Sequence, residues 1–220
     1  MENNQYKNRC INIGCGTHTV KGWINYDFNK FIFFTKLKPL IFILKRLDFI
    51  PKGYKVFIDK VINEDIRYCN AGKYIPEQDN SVNILYSSHM LEHLDDLETK
   101  AFLSESIRVL VDGGLIRIVV PDFEKIVQDY LVSNNPKTFI KDSCLVAEKP
   151  HNLLKKIQYL IQGHGWHFNM YNNKSLIKLI KSYGFRDVKI LNPGETKIKN
   201  TQGLDLYAHS KNSIYLEAIK

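Results

Sequence analysis

Cysteine is scarce and irregularly placed: four residues, Cys10, Cys15, Cys69 and Cys144, with no C-x-x-C pair. That excludes a disulfide-stapled secreted scaffold, and reduced thiols of a cytoplasmic protein are expected. The polar start Met-Glu-Asn-Asn-Gln lacks the apolar core of an export signal, so export is not expected. No apolar run is long enough to span a bilayer; the nearest, residues 31–44, is broken by Lys36, Lys38 and Pro39. No internal repeat, low-complexity tract or interdomain linker appears, and no RNP-like motif or zinc finger. The net charge of +8 comes from basic residues spread along the chain. It reads as a lysine-rich solvated surface, and no nucleic-acid partner is expected. A chain of 220 residues with 44% hydrophobic content suits one globular domain over residues 1–220.

What is present begins at Cys10-Ile-Asn-Ile-Gly-Cys-Gly16, followed by Gly22-Trp-Ile-Asn-Tyr-Asp27. An apolar strand runs into two glycines, which let backbone approach a ligand where a Cβ would collide. A second strand then ends in an acid that can accept both hydroxyls of a ribose. A dinucleotide fingerprint asks for a third glycine, a helix, and an acid about 20 residues on. Here His18 and Thr19 follow Thr17, and only Thr17 to Lys21 separate Gly16 from Gly22. No long helix N-terminus is available for a pyrophosphate, so the loop suits a nucleoside cofactor without phosphate there, and NAD is not expected.

Strand and helix signals alternate, as in an α/β fold with a mostly parallel sheet. Strands are expected at residues 10–14 and 23–27, near Lys60–Asp65, at Val82–Tyr86 closed by Ser87-Ser88, at Leu115–Val120, at Val188–Leu191 and at Ser213–Ile219. Helices are expected from about Leu97 to a stop at Gly113-Gly114, from Phe123 to Leu131, and from Leu176 to Tyr183. Residues 28–60 read as an aromatic and basic insertion. Residues 132–170 read as a lid, irregular at first and helical over His151–Gln162. Both segments are expected to flank the acceptor cleft. For Phe31–Leu44 four readings stand: packing over the core, covering the cleft, peripheral membrane contact, or a homodimer interface.

The assembled order resembles the class I S-adenosylmethionine-dependent methyltransferases. More narrowly, it resembles small bacterial methyltransferases associated with polysaccharide biosynthesis. The motifs are Asn12-Ile-Gly-Cys-Gly16, Gly22–Asp27, Asp65-Ile-Arg67, Ser88-His-Met-Leu-Glu-His-Leu94, Arg108–Leu115, Val119-Val-Pro-Asp122, His167 with Met170-Tyr171, Ser182-Tyr-Gly-Phe185 and the closing Ser213–Lys220. The resemblance implies a Rossmann-like, seven-stranded, mostly parallel sheet with an antiparallel last strand and helices on both faces. It implies S-adenosylmethionine as cofactor, held by Gly14 and Gly16 through backbone and by Asp27 at the ribose. Asp65 and Ile66 would lie on the adenine side, with Ser87, Ser88 and His89 beneath the methionine part. The broader class often has an acid where Asn12 stands and a third glycine where His18 stands.

The reaction this implies is methylation of a hydroxyl on a sugar or glycan-related acceptor. The sulfonium is already activated, so the protein mainly holds nucleophile, methyl carbon and sulfur in line and dry. The hydroxyl must still lose a proton, and His167 and Asp122 are the candidate bases. Asp122 equally reads as a cap on the following helix. His89-Met-Leu-Glu-His93 also fits H-x-x-E-H, a zinc-protease pattern, but it directly follows a strand, and no metal is expected. His164 and His167 could likewise pair on a metal; His167 is read as substrate-proximal and His164 as a bystander. Two further alternatives are nucleic-acid methylation, which lacks an Asn/Asp-Pro-Pro-Tyr-type motif after the fourth strand, and a non-catalytic cofactor-binding subunit.

Overall fold

The computed structural model describes residues 9–35, 52–146, 165–201 and 203–220, with scattered positions at 37–46 and 149–156. Seven strands form one sheet in the order β3-β2-β1-β4-β5-β7-β6. They are β1 (Cys10–Ile13), β2 (Ile24–Asp27), β3 (Arg67–Tyr68), β4 (Val82–Ser88), β5 (Leu110–Pro121), β6 (Arg186–Leu191) and β7 (Ser213–Ile219). β1 pairs in parallel with β2 and β4, β2 with β3, and β4 with β5. β7 runs antiparallel between β5 and β6, as expected for the last strand. The chain leaves β1 toward β3 and returns beside β1 at β4. The carboxyl ends of β1 and β4 thus frame the crevice where open α/β sheets bind ligands.

Helices pack around this sheet: α1 (Phe31–Phe34), α2 (Lys52–Glu64), α3 (Asp96–Val109), α4 (Phe123–Ser133), α5 (Pro136–Ser143) and α6 (Asn173–Ser182). Asp95 caps α3 and Asn172 caps α6, each in a reciprocal capping box. Phe102 and Leu103 of α3 and Leu176 and Ile180 of α6 are buried in one cluster with Ile11, Ile13, Leu85, Ile116 and Leu216. A second cluster joins Val20, Trp23, Tyr86, Leu115, Val119 and Tyr215 to Ile198 and Leu204, with no helical cover from those residues. Cys15, Ile32, Phe57, Val61 and Ile66 form a third.

Three expectations are corrected. The expected strand at Lys60–Asp65 is the end of α2, and β3 begins at Arg67. Buried Phe57, Ile58 and Val61 recur at helical spacing, and Lys60 pairs with Glu64 one turn on. Asp65 then breaks the helix in a left-handed conformation, φ 49°. Gly113-Gly114 do not stop α3, which ends at Val109; they sit in a bulge of β5, where pairing jumps from Val82↔Leu110 to Ile84↔Leu115. The start of the 132–170 segment is ordered as α5, capped by Asn135, which accepts from Lys137 and Thr138 N–H. The expected helix over His151–Gln162 and His164 lie almost wholly outside the described residues, as does much of Phe31–Leu44. No helix of the described residues is long and apolar enough to cross a membrane.

Candidate active site

The turn after β1 is built from buried amides. Asn12 Nδ2 donates to the His18 carbonyl at 2.9 Å and to Asn25 Oδ1 at 3.0 Å. Asn25 in turn accepts from Val20 N–H at 2.8 Å and donates to the Val20 and Trp23 carbonyls. Together they fold residues 14–23 into a compact loop where other nucleotide folds place a helix. The Gly14 and Cys15 N–H groups both donate to the Tyr26 carbonyl, at 2.9 and 3.0 Å. Gly14 has φ +72°, and a Cβ there would stand 2.7 Å from Met90 Cγ. Gly16 has φ +52° with open space where a Cβ would point.

Asp27, at the end of β2, faces this turn. Its Oδ2 accepts the Gly16 N–H at 2.8 Å and its Oδ1 accepts the Asn29 N–H at 2.8 Å. Burial pushes its carboxyl above the usual value, and these backbone donors oppose the rise. A carboxylate has about four acceptor positions, so beside the Gly16, Asn29 and Phe28 N–H groups it can still accept from ribose.

A cavity of about 470 Å³ opens here, with Gly14, Asp27, Asn70, His89, His93 and Trp166 among its lining residues. The expected residues divide around it. Gly14, Asp27 and His89 line it; Gly16 adjoins through Asp27. Ser87 is buried within β4, and Ser88 closes that strand just before His89. Asp65 is exposed and pairs with Arg67 at 2.9 Å, and Ile66 packs in the third core cluster. The wall beside Asp27 comes instead from Cys69–Gly72, because α2 runs to Glu64 and shifts the end of β3 to Tyr68. Sequence reading missed this stretch; the polar Asn70 directly after a strand end was the available signal.

The opposite wall carries the imidazoles of His89 and His93; His167 is not among the lining residues but packs against His93. His89 has φ 50°, donates its N–H to the Val119 carbonyl at 2.8 Å, and sets its Nε2 3.0 Å from Ser213 Oγ. Its Nδ1 lies 3.2 Å from Glu92 Oε1. Glu92 and His93 sit in a single 3-10 turn, not on the displayed α-helix that a zinc protease requires. Glu92 is 1% exposed. Its backbone carbonyl accepts Phe168 and Asn169 N–H, so the 165–171 segment is tied to the turn after β4. His93 Nδ1 lies 2.7 Å from the Trp166 carbonyl. The His167 ring meets the His93 ring edge-on at 4.9 Å, and its Nε2 is 4.0 Å from Glu92 Oε1. Burial lowers the His167 pKa, and Glu92 opposes that shift. Asp122 lies elsewhere: its Oδ1 accepts Glu124 and Lys125 N–H, capping α4.

The chain matches the family model described as methyltransferase domain over residues 1–190. No curated protein sequence matches it. Among solved structures it is similar to a SAM-dependent methyltransferase from Archaeoglobus fulgidus, 17% identical, with 97% of this chain and 86% of that chain covered at TM-score 0.50. It is also similar to a chain in the complex between the Haloferax volcanii Trm112 methyltransferase activator and the putative methyltransferase, 9% identical, covering 96% and 81% at TM-score 0.51. Haemonchus contortus phosphoethanolamine N-methyltransferase 2, solved with phosphomonomethylethanolamine and S-adenosylhomocysteine, is 14% identical, covering 99% and 51% at TM-score 0.49. The chain thus spans about half the length of that enzyme. At these identities the likeness is one of fold. The family model, matched over most of the chain, decides the relationship: the chain belongs to the methyltransferase-domain family, whose methyl donor is S-adenosylmethionine.

Proposed function

We propose that this chain transfers a methyl group from S-adenosylmethionine to a hydroxyl of a sugar or glycan-related acceptor, as one methyltransferase unit over residues 1–220. The observation that carries this reading is that Asp27, paired with Gly16, lines a 470 Å³ cavity together with His89, His93, Trp166 and Phe168. Adenosine fits between the glycine turn, Asp27 and Cys69–Gly72, which leaves the sulfonium to face His89 and His93. Trp166 and Phe168, 37% and 53% exposed on the rim, offer flat apolar faces to a sugar ring.

Both irregular segments reach this rim: Phe28 comes from 28–60, and Gly165, Trp166 and Phe168 come from 132–170. That supports their role beside the acceptor cleft. Asp122 Oδ1 caps α4, whereas the His167 ring meets the cavity-lining His93, which favours His167 for the acceptor's proton. Cys10, Cys15, Cys69 and Cys144, none of them in a disulfide among the described residues, agree with action in the reducing cytoplasm.

The test is a screen of nucleotide sugars and glycan fragments with methyl-labelled cofactor, followed by NMR of the product. A new O-methyl resonance on a sugar is the expected result. Transfer to RNA or DNA with no sugar product would replace this reading with nucleic-acid methylation.

A further inference from the structure

Glu92 is the anomaly of the site. Its carboxylate is 1% exposed, and the imidazoles facing its Oε1, His89 Nδ1 at 3.2 Å and His167 Nε2 at 4.0 Å, are too far or too poorly aimed to hydrogen-bond it. A buried carboxylate held this way carries a desolvation cost that its surroundings must offset. Around it stand imidazoles: one ligand atom each from Glu92, His93 and His167 lies within 4.8 Å of the others. We propose that Glu92, His93 and His167 bind one divalent first-row transition-metal ion of the zinc class, with its open coordination positions toward the acceptor side of the cavity.

The donor set selects the ion. Two imidazole nitrogens and one carboxylate suit zinc, cobalt or iron better than magnesium or calcium, which prefer oxygen shells. Three protein ligands leave room for an oxygen from solvent or substrate. The hydrogen bonding is already arranged for ligation. A carbonyl can only accept, so His93 Nδ1, 2.7 Å from the Trp166 carbonyl, carries the proton. Its Nε2 lone pair is then free, which is the usual support for a metal-bound histidine. His89 Nδ1, 3.2 Å from Glu92 Oε1, faces the carboxylate from outside. Metal–ligand bonds of about 2.0–2.2 Å would draw the three donors closer than they now stand. His93 lines the cavity, so the ion would stand at its wall.

This gives the hydroxyl-methylation reading, on which the inference rests, a way to activate its nucleophile. A hydroxyl oxygen on such an ion loses its proton to water far more readily than a free one. The new O–CH3 bond then forms as the S–CH3 bond breaks, and sulfur keeps the electron pair as neutral S-adenosylhomocysteine. His167 would serve as a ligand rather than as the base.

Cobalt(II) alone is the probe. Titration of the purified full chain should give visible d–d absorption saturating at one ion per chain and displaced by zinc. Glu92→Gln and His93→Ala should each weaken cobalt binding by at least about 100-fold. Glu92→Gln should keep S-adenosylhomocysteine affinity within a few-fold of wild type, which also shows that it is folded; the fold of His93→Ala, a residue that faces the cofactor sulfur, is read by circular dichroism. Wild-type protein that binds S-adenosylhomocysteine but takes up no stoichiometric cobalt or zinc overturns the site, as do variants with undiminished metal affinity. Methyl transfer that survives complete removal of the metal by a chelator overturns its part in the reaction. A metal-binding protein that methylates no sugar would instead contradict only the acceptor reading.

Discussion

Asp27 Oδ2 accepts the Gly16 N–H at 2.8 Å, so the acid that ends β2 also fastens the glycine turn that ends β1. One side chain thereby shapes the glycine turn and, in the proposed cofactor site, would present acceptors to the ribose. Asp27→Ala should weaken S-adenosylhomocysteine binding by about 1.5–3 kcal/mol, the range for hydrogen bonds to a charged group. Calorimetry reads this directly, and unchanged affinity would remove Asp27 from the ribose contact.

The same carboxyl should show in the pH dependence. Burial raises its pKa above the ordinary 3.8. Ribose hydroxyls donate best to the ionised form, so affinity should fall on acidification, beginning above the ordinary carboxyl range. Stability of the unliganded protein moves the other way. The folded state holds this proton more tightly than the unfolded chain. Asp27's contribution is therefore full below the unfolded value and is lost as pH rises through the folded one. Calorimetry and urea denaturation across pH, wild type against Asp27→Asn, should show both trends, and the variant should flatten them.

Gly14→Ala places a Cβ 2.7 Å from Met90 Cγ at φ +72°, strained on both counts. A cost of about 1–3 kcal/mol in stability is expected, with loss of cofactor affinity. Met90→Gly should restore part of it, since both the Met90 Cγ and the Met90 Cβ, at 2.7 and 2.8 Å, are then gone. Gly16→Ala, where nothing stands within 4 Å of the new carbon, should cost less. Denaturation of the four variants forms a double-mutant cycle with Gly16→Ala as control.

Asp122 and His167 should separate cleanly. Asp122→Ala removes a helix cap and should cost about 1 kcal/mol of stability, whereas Asp122→Asn caps equally well and should leave turnover near wild type. His167→Ala should lower turnover by about 10²–10⁴-fold, since either a base or a metal ligand is lost. Turnover abolished by Asp122→Asn would move the proton-transfer role to that residue.

Away from the site, Arg117 and Glu217 face each other across β5 and β7 and pair at 2.7 Å, both essentially unexposed. Glu217 also accepts from Thr196 Oγ1 and Lys197 N–H, so the pair ties residues 195–197 to the sheet. Glu217→Ala leaves a buried guanidinium uncompensated and should cost about 3–5 kcal/mol. Replacing both by leucine or methionine should cost much less, measured by urea denaturation.

The parts of this molecule legible in the sequence are those dictated by local pattern. The apolar β4 and β5, the glycine turn at 14 and 16 and the acid at 27 that fastens it were legible, because strand ends and positive φ angles have direct residue signatures. The α2–β3 boundary was not legible: Val61-Ile62 suits a strand as well as a helix, and burial of Phe57, Ile58 and Val61 against Cys15 and Ile66 decides it. That boundary moved the cavity wall beside Asp27 from Asp65 to Cys69–Gly72. The Glu92 cluster was half legible. H-x-x-E-H is visible in the chain, but the approach of His167 depends on Phe168 and Asn169 N–H reaching the Glu92 carbonyl, a pairing across more than 70 residues that no local spacing encodes.

The most direct measurement is a crystal structure of the chain with S-adenosylhomocysteine. The account requires the ribose on the Asp27 carboxylate, the adenine beside Cys69–Gly72, and the sulfur facing His89 and His93. A ligand bound away from the Gly14–Gly16 turn, or one that leaves Asp27 paired only with backbone, would contradict it.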